Sequence, residues 1–129
     1  RDEGRTWATP KISNFPNSSS KVFSMKTSHG YRVMVLNANP KVGRRELHLA
    51  VSQDERSFIH LAKLGVPTPK VIPESVSRIR KKFQSGTASL QYPHIIEHDE
   101  HLLIALSRGK VQIEVLRVSL DEIDALLAE

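Results

Sequence analysis

The sequence predicts an α+β fold of antiparallel sheet and helices in the order βββ-αα-βββ-α, with the helices packed on one face of the sheet. Short runs typical of β-strands, either alternating or almost continuously apolar, occur in residues 21–51 and again in residues 92–115. Two serines are each followed three positions later by glutamate, a spacing typical of helix starts. Clusters of Gly, Pro, Asn and Asp separate these segments and indicate turns.

The first β region reads as a three-stranded antiparallel meander. Its strands are predicted over residues 21–26, 31–36 and 45–51. The second is almost continuously apolar, which favours a central strand buried on both faces. The third alternates apolar and polar side chains, which predicts a strand with one buried face.

Two helices are predicted after the meander. Ser52 and Glu55 have the spacing of a capping box at the start of the first helix, and Gly65 suits its end. Three prolines in residues 66–73 favour an extended connection. The second helix is predicted over residues 74–85, with one apolar stripe and an otherwise basic or hydroxylated surface.

The second β region predicts three more strands joined by tight turns, over residues 92–97, 102–106 and 111–115. Ser119 and Glu122 then repeat the capping-box spacing, so a last helix is expected to begin there.

The length of 129 residues suits a single hydrophobic core. Residues 1–20 contain two prolines, a serine run and no hydrophobic period, so they are expected to form a flexible N-terminal arm on a single domain of residues 21–129. The chain begins with Arg1, which fits a domain cut from a longer polypeptide.

Several functional classes are disfavoured by what the sequence lacks. Without cysteine there is no disulfide framework, thiolate nucleophile or Cys-ligated zinc site. A glycine-rich phosphate loop and a nucleophile elbow are also missing, and no cofactor is predicted. Imidazole and carboxylate groups that could bind zinc cluster near a tight turn without an HExxH spacing, so no metal is predicted; these are His94, His98, Asp99, Glu100 and His101. The chain has no apolar run of the roughly 20 residues that span a bilayer and no signal segment. We therefore expect no membrane partner and a cytoplasmic location.

The charge distribution suggests a polyanionic partner. The net charge is +5, and residues 1–45 hold nine Lys or Arg against two Asp or Glu. Neutralising phosphates releases counterions, which drives binding of basic surfaces to nucleic acids. The sequence therefore predicts a nucleic-acid-binding module, DNA or RNA, that uses mainly phosphate contacts. The residues expected to make them are Lys41, Arg44, Arg45, Arg78, Arg80, Lys81 and Lys82.

Two alternatives remain open at this stage. The first is a small basic nuclease or toxin-like enzyme, although the sequence favours a non-enzymatic role. It would depend on a metal or on histidine, and its candidate groups are Glu46, His48, His60, His94, His98 and His101. The second is an interaction domain in which Trp7 and Phe15 of the arm contact another copy or the rest of a larger protein.

Overall fold

A computed structural model describes residues 3–10, 15–54, 57–67, 89–110 and 112–128 of the chain. In this part of the chain, seven strands form two antiparallel sheets and are followed by one α-helix. The elements are β1 (Phe23–Lys26), β2 (Arg32–Leu36), a 3-10 helix (Gly43–Arg45), β3 (His48–Ser52), β4 (His60–Lys63), β5 (Leu90–His98), β6 (His101–Arg108), β7 (Gln112–Ser119) and α1 (Leu120–Ala128).

The first sheet is a four-stranded meander in the order β1-β2-β3-β4. Val33 at its centre lies opposite Met25 on β1 and Val51 on β3. All five residues of β3 are buried, so this strand is covered on both faces and not on one as predicted. β-branched side chains at the centre of the sheet suit its pleated, close-packed surface.

The second sheet is a three-stranded meander in the order β5-β6-β7. Ile104 on the middle strand lies opposite Ile95 and Leu116. The register of β5 shifts between Gln91 and His94, and Tyr92 within this bulge has a φ of 54°. An extra residue in one strand bends it and changes the direction of its side chains.

One hydrophobic core joins the two sheets and the helix. Its fully buried members are Val33, Val35, Leu47 and Val51 from the first sheet region, Leu102, Ile104 and Leu106 from the second sheet, and Leu120 of α1. β1 lies beside β5, where the ring centroids of Phe23 and His94 are 4.0 Å apart. Each such large apolar side chain stabilises the fold by about 1.5–3 kcal/mol through burial.

The predicted α+β fold is wrong, because the described chain is mostly β, with α1 as its one α-helix. Ser52 does not cap a helix; it ends β3, and β4 lies in the second half of the first predicted helix. The Asp54 carboxylate accepts hydrogen bonds from the Ser52 hydroxyl at 3.0 Å and from the Ser57 amide at 2.7 Å. The Ser52 hydroxyl is therefore bonded to a side chain and not to the start of a helix.

Other elements agree with the prediction or fall outside the described residues. The six predicted strands correspond to β1–β3 and β5–β7, and the C-terminal helix is confirmed, but the first meander was predicted with three strands and has β4 as a fourth. At the start of α1, the Asp121 amide donates to the Ser119 hydroxyl and the Ser119 amide donates to Glu122, each at 3.2 Å. The second predicted helix, residues 74–85, lies outside the described residues. The division into an arm of residues 1–20 and a domain of residues 21–129 stays a prediction.

Candidate binding site

A cleft of about 440 Å³ lies at one end of the two sheets. It is bordered by the 3-10 helix, the residues before β3, the end of β4 and the start of β5. Its lining residues are Arg45, Glu46, Leu47, Lys63, Leu64, Gly65, Val66, Pro67 and Leu90. The volume lies within the range of about 300–1,000 Å³ that small-molecule sites occupy.

A tight turn after β2 brings the basic residues to this cleft. The Gly43 amide donates to the Asn39 carbonyl at 3.0 Å, and the Lys41 amide donates to Oδ1 of Asn39 at 3.1 Å. Gly43 has a φ of 61°, a conformation that glycine adopts without steric cost. The chain then passes through the 3-10 helix, which places Arg44 and Arg45 beside the start of β3.

Glu46 is held as a carboxylate at the cleft. Its Oε1 lies 2.6 Å from Nζ of Lys63, and its Oε2 accepts a hydrogen bond from Nδ2 of Asn39 at 3.3 Å. The hydrogen bond from Lys63 is the main cause that lowers the pKa of Glu46. Glu46 is therefore ionised at neutral pH and suited to accept hydrogen bonds, not to donate a proton.

His48 lies behind Glu46 and is buried. Its Nδ1 accepts a hydrogen bond from the Ala38 amide at 3.4 Å, and its Nε2 is 3.8 Å from Oε2 of Glu46. Burial lowers the pKa of His48, which favours the neutral imidazole. Because a neutral ring with Nδ1 as acceptor fits this environment, His48 supports the turn after β2.

The two neighbouring arginines have different surroundings. Arg44 donates from Nη1 to Oε1 of Gln91 at 2.8 Å and from Nη2 to the Ser19 carbonyl at 3.0 Å, so it joins three parts of the chain. Arg45 is exposed and donates from Nε to the Val42 carbonyl at 3.1 Å. Within the described chain, the two terminal nitrogens of Arg45 have no partner. Among the described lining residues, Arg45 is therefore the cation that is not paired with a carboxylate.

Asn37 supports the cleft from the interior. It is fully buried, and its Nδ2 donates to the carbonyls of Glu46 at 2.7 Å and Leu90 at 3.1 Å. Both acceptors belong to cleft-lining residues. Oδ1 of Asn37 has no hydrogen-bond partner among the described residues. Such an acceptor is costly to leave unpaired and suits an ordered water.

An ion pair fixes the wall formed by Pro67. Arg108 is 4% exposed and donates to Glu114 from Nε at 2.5 Å and from Nη2 at 2.7 Å. Nη2 also donates to the Pro67 carbonyl at 2.7 Å. The hydrogen bonds from Arg108 are the main cause that lowers the pKa of Glu114. This bidentate pair anchors the chain after β4 to the β6–β7 hairpin.

The cleft offers groups for binding more readily than for catalysis. Arg45 and Lys63 supply cations, Glu46 supplies an acceptor, and Leu64 and Pro67 supply apolar surface. Glu46 is the one carboxylate among the described lining residues. Its titratable neighbour in the lining is Lys63, with which it forms an ion pair.

The structure places only part of the predicted phosphate-binding set near this cleft. Arg44 and Arg45 are in the 3-10 helix and Lys41 is exposed on the turn before it. The remaining predicted residues, Arg78, Arg80, Lys81 and Lys82, lie outside the described residues. Lys63 and Glu46 were not predicted to act together, because Lys63 was assigned to a helix.

The histidines and carboxylates weighed for a nuclease are spread over the molecule. Glu46 and His48 meet at the cleft, whereas His60 lies on β4 and His98 and His101 flank the β5–β6 turn. In the described ranges no group of three or more His, Cys, Asp or Glu residues is arranged to hold a metal ion.

The sequence model of the BNR repeat-like domain matches residues 1–113. The chain belongs to this family. BNR-type domains have a β-propeller-type architecture, in which antiparallel sheets of usually four strands repeat as blades. The four-stranded and three-stranded meanders of the chain agree with that architecture. No curated protein and no solved structure matches the chain.

The predicted nucleic-acid-binding module, with DNA or RNA as partner, is wrong, because the BNR assignment places the chain in a different class of domain. The charge excess had suggested a phosphate-binding surface, yet Arg44 uses its guanidinium to join parts of the same chain. Net charge reports on the whole surface and does not locate a site.

The BNR match begins at residue 1 and so includes the segment predicted to be an arm. Glu3 and Gly4 form a turn with positive φ values, and Nε1 of Trp7 donates to the Gly4 carbonyl at 2.9 Å. Trp7 itself is 88% exposed. Further along, the Ser18 amide donates to the Asn37 carbonyl at 2.9 Å, which ties this segment to the end of β2. In the described ranges, no helix has the length and apolar character to cross a membrane.

Proposed function

We propose that this BNR repeat-like domain binds carbohydrate in the cleft between the 3-10 helix, β4 and β5. The observation behind the proposal is the combination of Arg45, Glu46 and Lys63 with an apolar wall in one concave site of about 440 Å³. Small-molecule sites combine such a mainly apolar lining with a few polar groups that fix orientation. The BNR assignment also favours a carbohydrate or protein ligand over a nucleic acid.

The polar groups suit the hydroxyl and carboxylate groups of a sugar. The guanidinium of Arg45 can donate two parallel hydrogen bonds to a carboxylate or to adjacent hydroxyl oxygens. The Glu46 carboxylate can accept from a hydroxyl, while Lys63 keeps it ionised. A saccharide that bears a carboxylate is expected to bind more tightly than its neutral analogue, because Arg45 and Lys63 outnumber Glu46 at the cleft.

The apolar wall suits the C–H face of a sugar ring. Leu64, Val66 and Pro67 follow β4, and the Val66 amide donates to the Leu64 carbonyl at 3.0 Å, which keeps this wall curved. Arg108 holds the Pro67 carbonyl from behind. The wall is therefore fixed before a ligand arrives, which reduces the entropy lost on binding.

Binding without hydrolysis is the activity that the cleft supports. Glycoside hydrolysis generally uses two carboxyl groups on either side of the scissile bond. Among the described residues that line the cleft, Glu46 is the one carboxylate, and its lowered pKa disfavours the protonated form that a general acid needs.

The test is saccharide binding measured by saturation-transfer NMR and calorimetry, with matched neutral and carboxylate-bearing saccharides. Arg45→Ala is expected to weaken binding of the acidic saccharide by about 10- to 100-fold, the range for loss of a hydrogen bond to a charged group. The neutral saccharide is expected to lose less affinity, since it lacks the charged partner.

The matched control is Arg117→Ala, which removes an exposed arginine from a strand far from the cleft. This variant is expected to bind both saccharides as the unmodified protein does. Equal weakening by the two substitutions would assign the effect to net charge and contradict the proposed site. Absence of binding to both saccharides at millimolar concentration would rule out the carbohydrate function.

A further inference from the structure

His48 is a buried histidine at the start of β3 whose ring accepts a hydrogen bond from the backbone. Its Nδ1 accepts from the Ala38 amide at 3.4 Å. This leaves the ring proton of the neutral imidazole on Nε2, which lies 3.8 Å from Oε2 of Glu46. Protonation would place a hydrogen on Nδ1 as well, so the hydrogen bond with Ala38 exists only while His48 is neutral.

This hydrogen bond supports the turn that carries Arg45. Asn39 follows Ala38 directly, and its carbonyl accepts from the Gly43 amide at 3.0 Å. Gly43 begins the 3-10 helix, which ends with Arg45. Because Ala38 is 6% exposed, water does not readily replace the ring of His48 as acceptor, and a buried unpaired amide is costly. Loss of the hydrogen bond would therefore displace the turn and Arg45 with it.

Protonation of His48 would also act directly on Glu46 at the cleft. Oε2 of Glu46 accepts from Nδ2 of Asn39 at 3.3 Å, and its Oε1 lies 2.6 Å from Nζ of Lys63. An imidazolium 3.8 Å from Oε2 would compete with these partners, because opposite charges attract at this distance. The Glu46 carboxylate would then be drawn from the cleft towards the buried ring.

The surroundings of His48 favour the neutral ring. Burial is the main cause that lowers the pKa of His48; Glu46, just before β3, opposes it, and Lys63 adds to it. Lys63 lies opposite His48 on β4, and Leu36, opposite it on β2, carries no charge. The ring is therefore neutral at pH 7 and becomes charged only below its ordinary pKa of 6.5.

We propose that His48 is a positioning residue of the cleft and that its protonation releases the bound ligand. The inference rests on the carbohydrate binding proposed above. The form with neutral His48 presents Arg45 and Glu46 to a saccharide, and the protonated form does not. The affinity for an acidic saccharide is therefore full at neutral pH and falls as the pH decreases through the pKa of His48 in the free protein.

The expected size of the effect follows from the fraction of molecules that can bind. One pH unit below the pKa of His48, about one molecule in eleven has a neutral ring, so the apparent dissociation constant rises about tenfold. The carboxyl group of the saccharide has a pKa of about 3–4 and stays ionised above about pH 5. Glu46 also stays ionised there, because Lys63 lowers its pKa. Neither group produces the same change.

The first test is calorimetry with a carboxylate-bearing saccharide between about pH 5 and pH 8. In His48→Asn, the side-chain oxygen can accept from the Ala38 amide but does not titrate. This variant is expected to bind as the unmodified protein does at pH 8 and to keep that affinity at pH 5. The matched control His60→Asn changes a histidine outside the cleft lining and should show the same loss in acid as the unmodified protein.

A second measurement needs no variant. NMR titration of the unmodified protein should show the Ala38 amide and the His48 ring changing with one midpoint. Because linkage is reciprocal, saturating saccharide should lower the pKa of His48 and leave that of His60 unchanged. A pKa of His48 that the saccharide leaves unchanged, or an affinity that does not vary with pH, would overturn the inference and leave carbohydrate binding in place. Absence of binding at every pH would contradict the carbohydrate function and this inference with it.

Discussion

The two ends of the sheets differ in how their charged side chains are paired. At the end opposite the cleft, both ring nitrogens of a histidine contact carboxylates of the same chain. At the cleft, the terminal nitrogens of Arg45 have no partner among the described residues. His29, in the β1–β2 turn, lies 2.7 Å from Glu100 through Nε2 and 2.8 Å from Asp124 through Nδ1. We call these three residues the His29 clamp. It connects the first sheet to the β5–β6 turn and to α1.

Further hydrogen bonds reinforce the His29 clamp. The Ser28 amide donates to Oε2 of Glu97 at 2.9 Å, and the Leu120 amide donates to the Glu100 carbonyl at 3.0 Å. Tyr31 is buried beneath, with its hydroxyl 3.4 Å from the Leu120 carbonyl, and burial raises the pKa of Tyr31. This end of the molecule therefore holds the two sheets and the helix together.

The difference indicates how one small fold separates stability from binding. At the His29 clamp, charged groups satisfy one another and leave little for a ligand. At the cleft, the structural tasks fall to Arg44, Arg108 and Asn37, while Arg45 and Lys63 point to the concave surface. Substitutions in the supporting group should change the free energy of unfolding, and substitutions at the cleft surface should change binding.

The largest expected effect comes from Glu114→Ala. Removing this carboxylate leaves the Arg108 guanidinium, 4% exposed, without its counter-ion. We expect the free energy of unfolding to fall by about 3 kcal/mol, the lower end of the range for breaking a buried ion pair. Urea unfolding measures this loss.

The control for this prediction removes both partners. The double variant Arg108→Met with Glu114→Leu is expected to recover most of the lost stability, because no unpaired charge remains buried. If the double variant is as unstable as Glu114→Ala alone, packing at this position and not the charge determines the loss.

A smaller effect is expected from Ser119→Ala at the start of α1. The Ser119 hydroxyl accepts a hydrogen bond from the Asp121 amide at 3.2 Å. Loss of an N-cap of this type costs about 1 kcal/mol. Thermal or urea unfolding should detect it. The matched control is Ser28→Ala at the same end of the molecule, which is expected to stay within about 0.5 kcal/mol of the unmodified protein. An equal loss in both variants would contradict a capping role.

The sequence predicted local structure correctly where the pattern was unambiguous. The near-continuous apolar run of β2 and the alternation in β7 correctly predicted strands, and the capping-box spacing at Ser119 correctly predicted a helix. The same capping-box spacing at Ser52 misled, because Ser52 ends β3 and its hydroxyl donates to the Asp54 carboxylate. Exposure alternates along β4, but its sequence, HLAK, does not alternate between apolar and polar residues and so carried no period of two.

The cleft could not be predicted from the sequence, because its lining residues are far apart along the chain. Its lining combines residues 45–47, 63–67 and 90, which come together only after the strands have paired. Glu46 and Lys63 meet because β4 runs antiparallel to β3, with His48 opposite Lys63. Because residues 60–63 were predicted to be helical, the pairing of β3 with β4 was not predicted. Arg45 was predicted as a binding residue, but for phosphate and from charge alone.

The next effect in size is the contribution of the His29 clamp to stability, which depends on pH. Hydrogen bonds to Glu100 and Asp124 raise the pKa of His29 above its ordinary value of 6.5. Both ring nitrogens can donate to carboxylates only in the protonated imidazolium. The stabilising contribution of the His29 clamp is therefore fully present below about pH 6.5 and disappears as the pH rises through the folded-state pKa. The effect is expected to be modest, because the carboxylates of the clamp are exposed to water.

His29→Gln tests this dependence. Urea unfolding at about pH 5.5 should find the variant less stable than the unmodified protein, and the difference should shrink well above the pKa of the folded state. His60→Gln is the matched control, because it removes a histidine of β4 that lies outside the His29 clamp. NMR titration of the His29 ring gives the folded-state pKa directly. A value at or below 6.5 would contradict the clamp.

The smallest effect on stability is expected from Arg45→Ala, and it separates the two ends most clearly. Arg45 is exposed, and its one described hydrogen bond runs from Nε to the nearby Val42 carbonyl. Its loss should change the free energy of unfolding by no more than about 0.5 kcal/mol. Arg44→Ala is the matched comparison, because the neighbouring guanidinium joins Gln91 to Ser19 and its loss should destabilise the fold. Urea unfolding of the two variants makes this comparison. If Arg45→Ala lowers the free energy of unfolding more than Arg44→Ala does, Arg45 stabilises the fold. That result would contradict the separation of binding residues from stabilising residues.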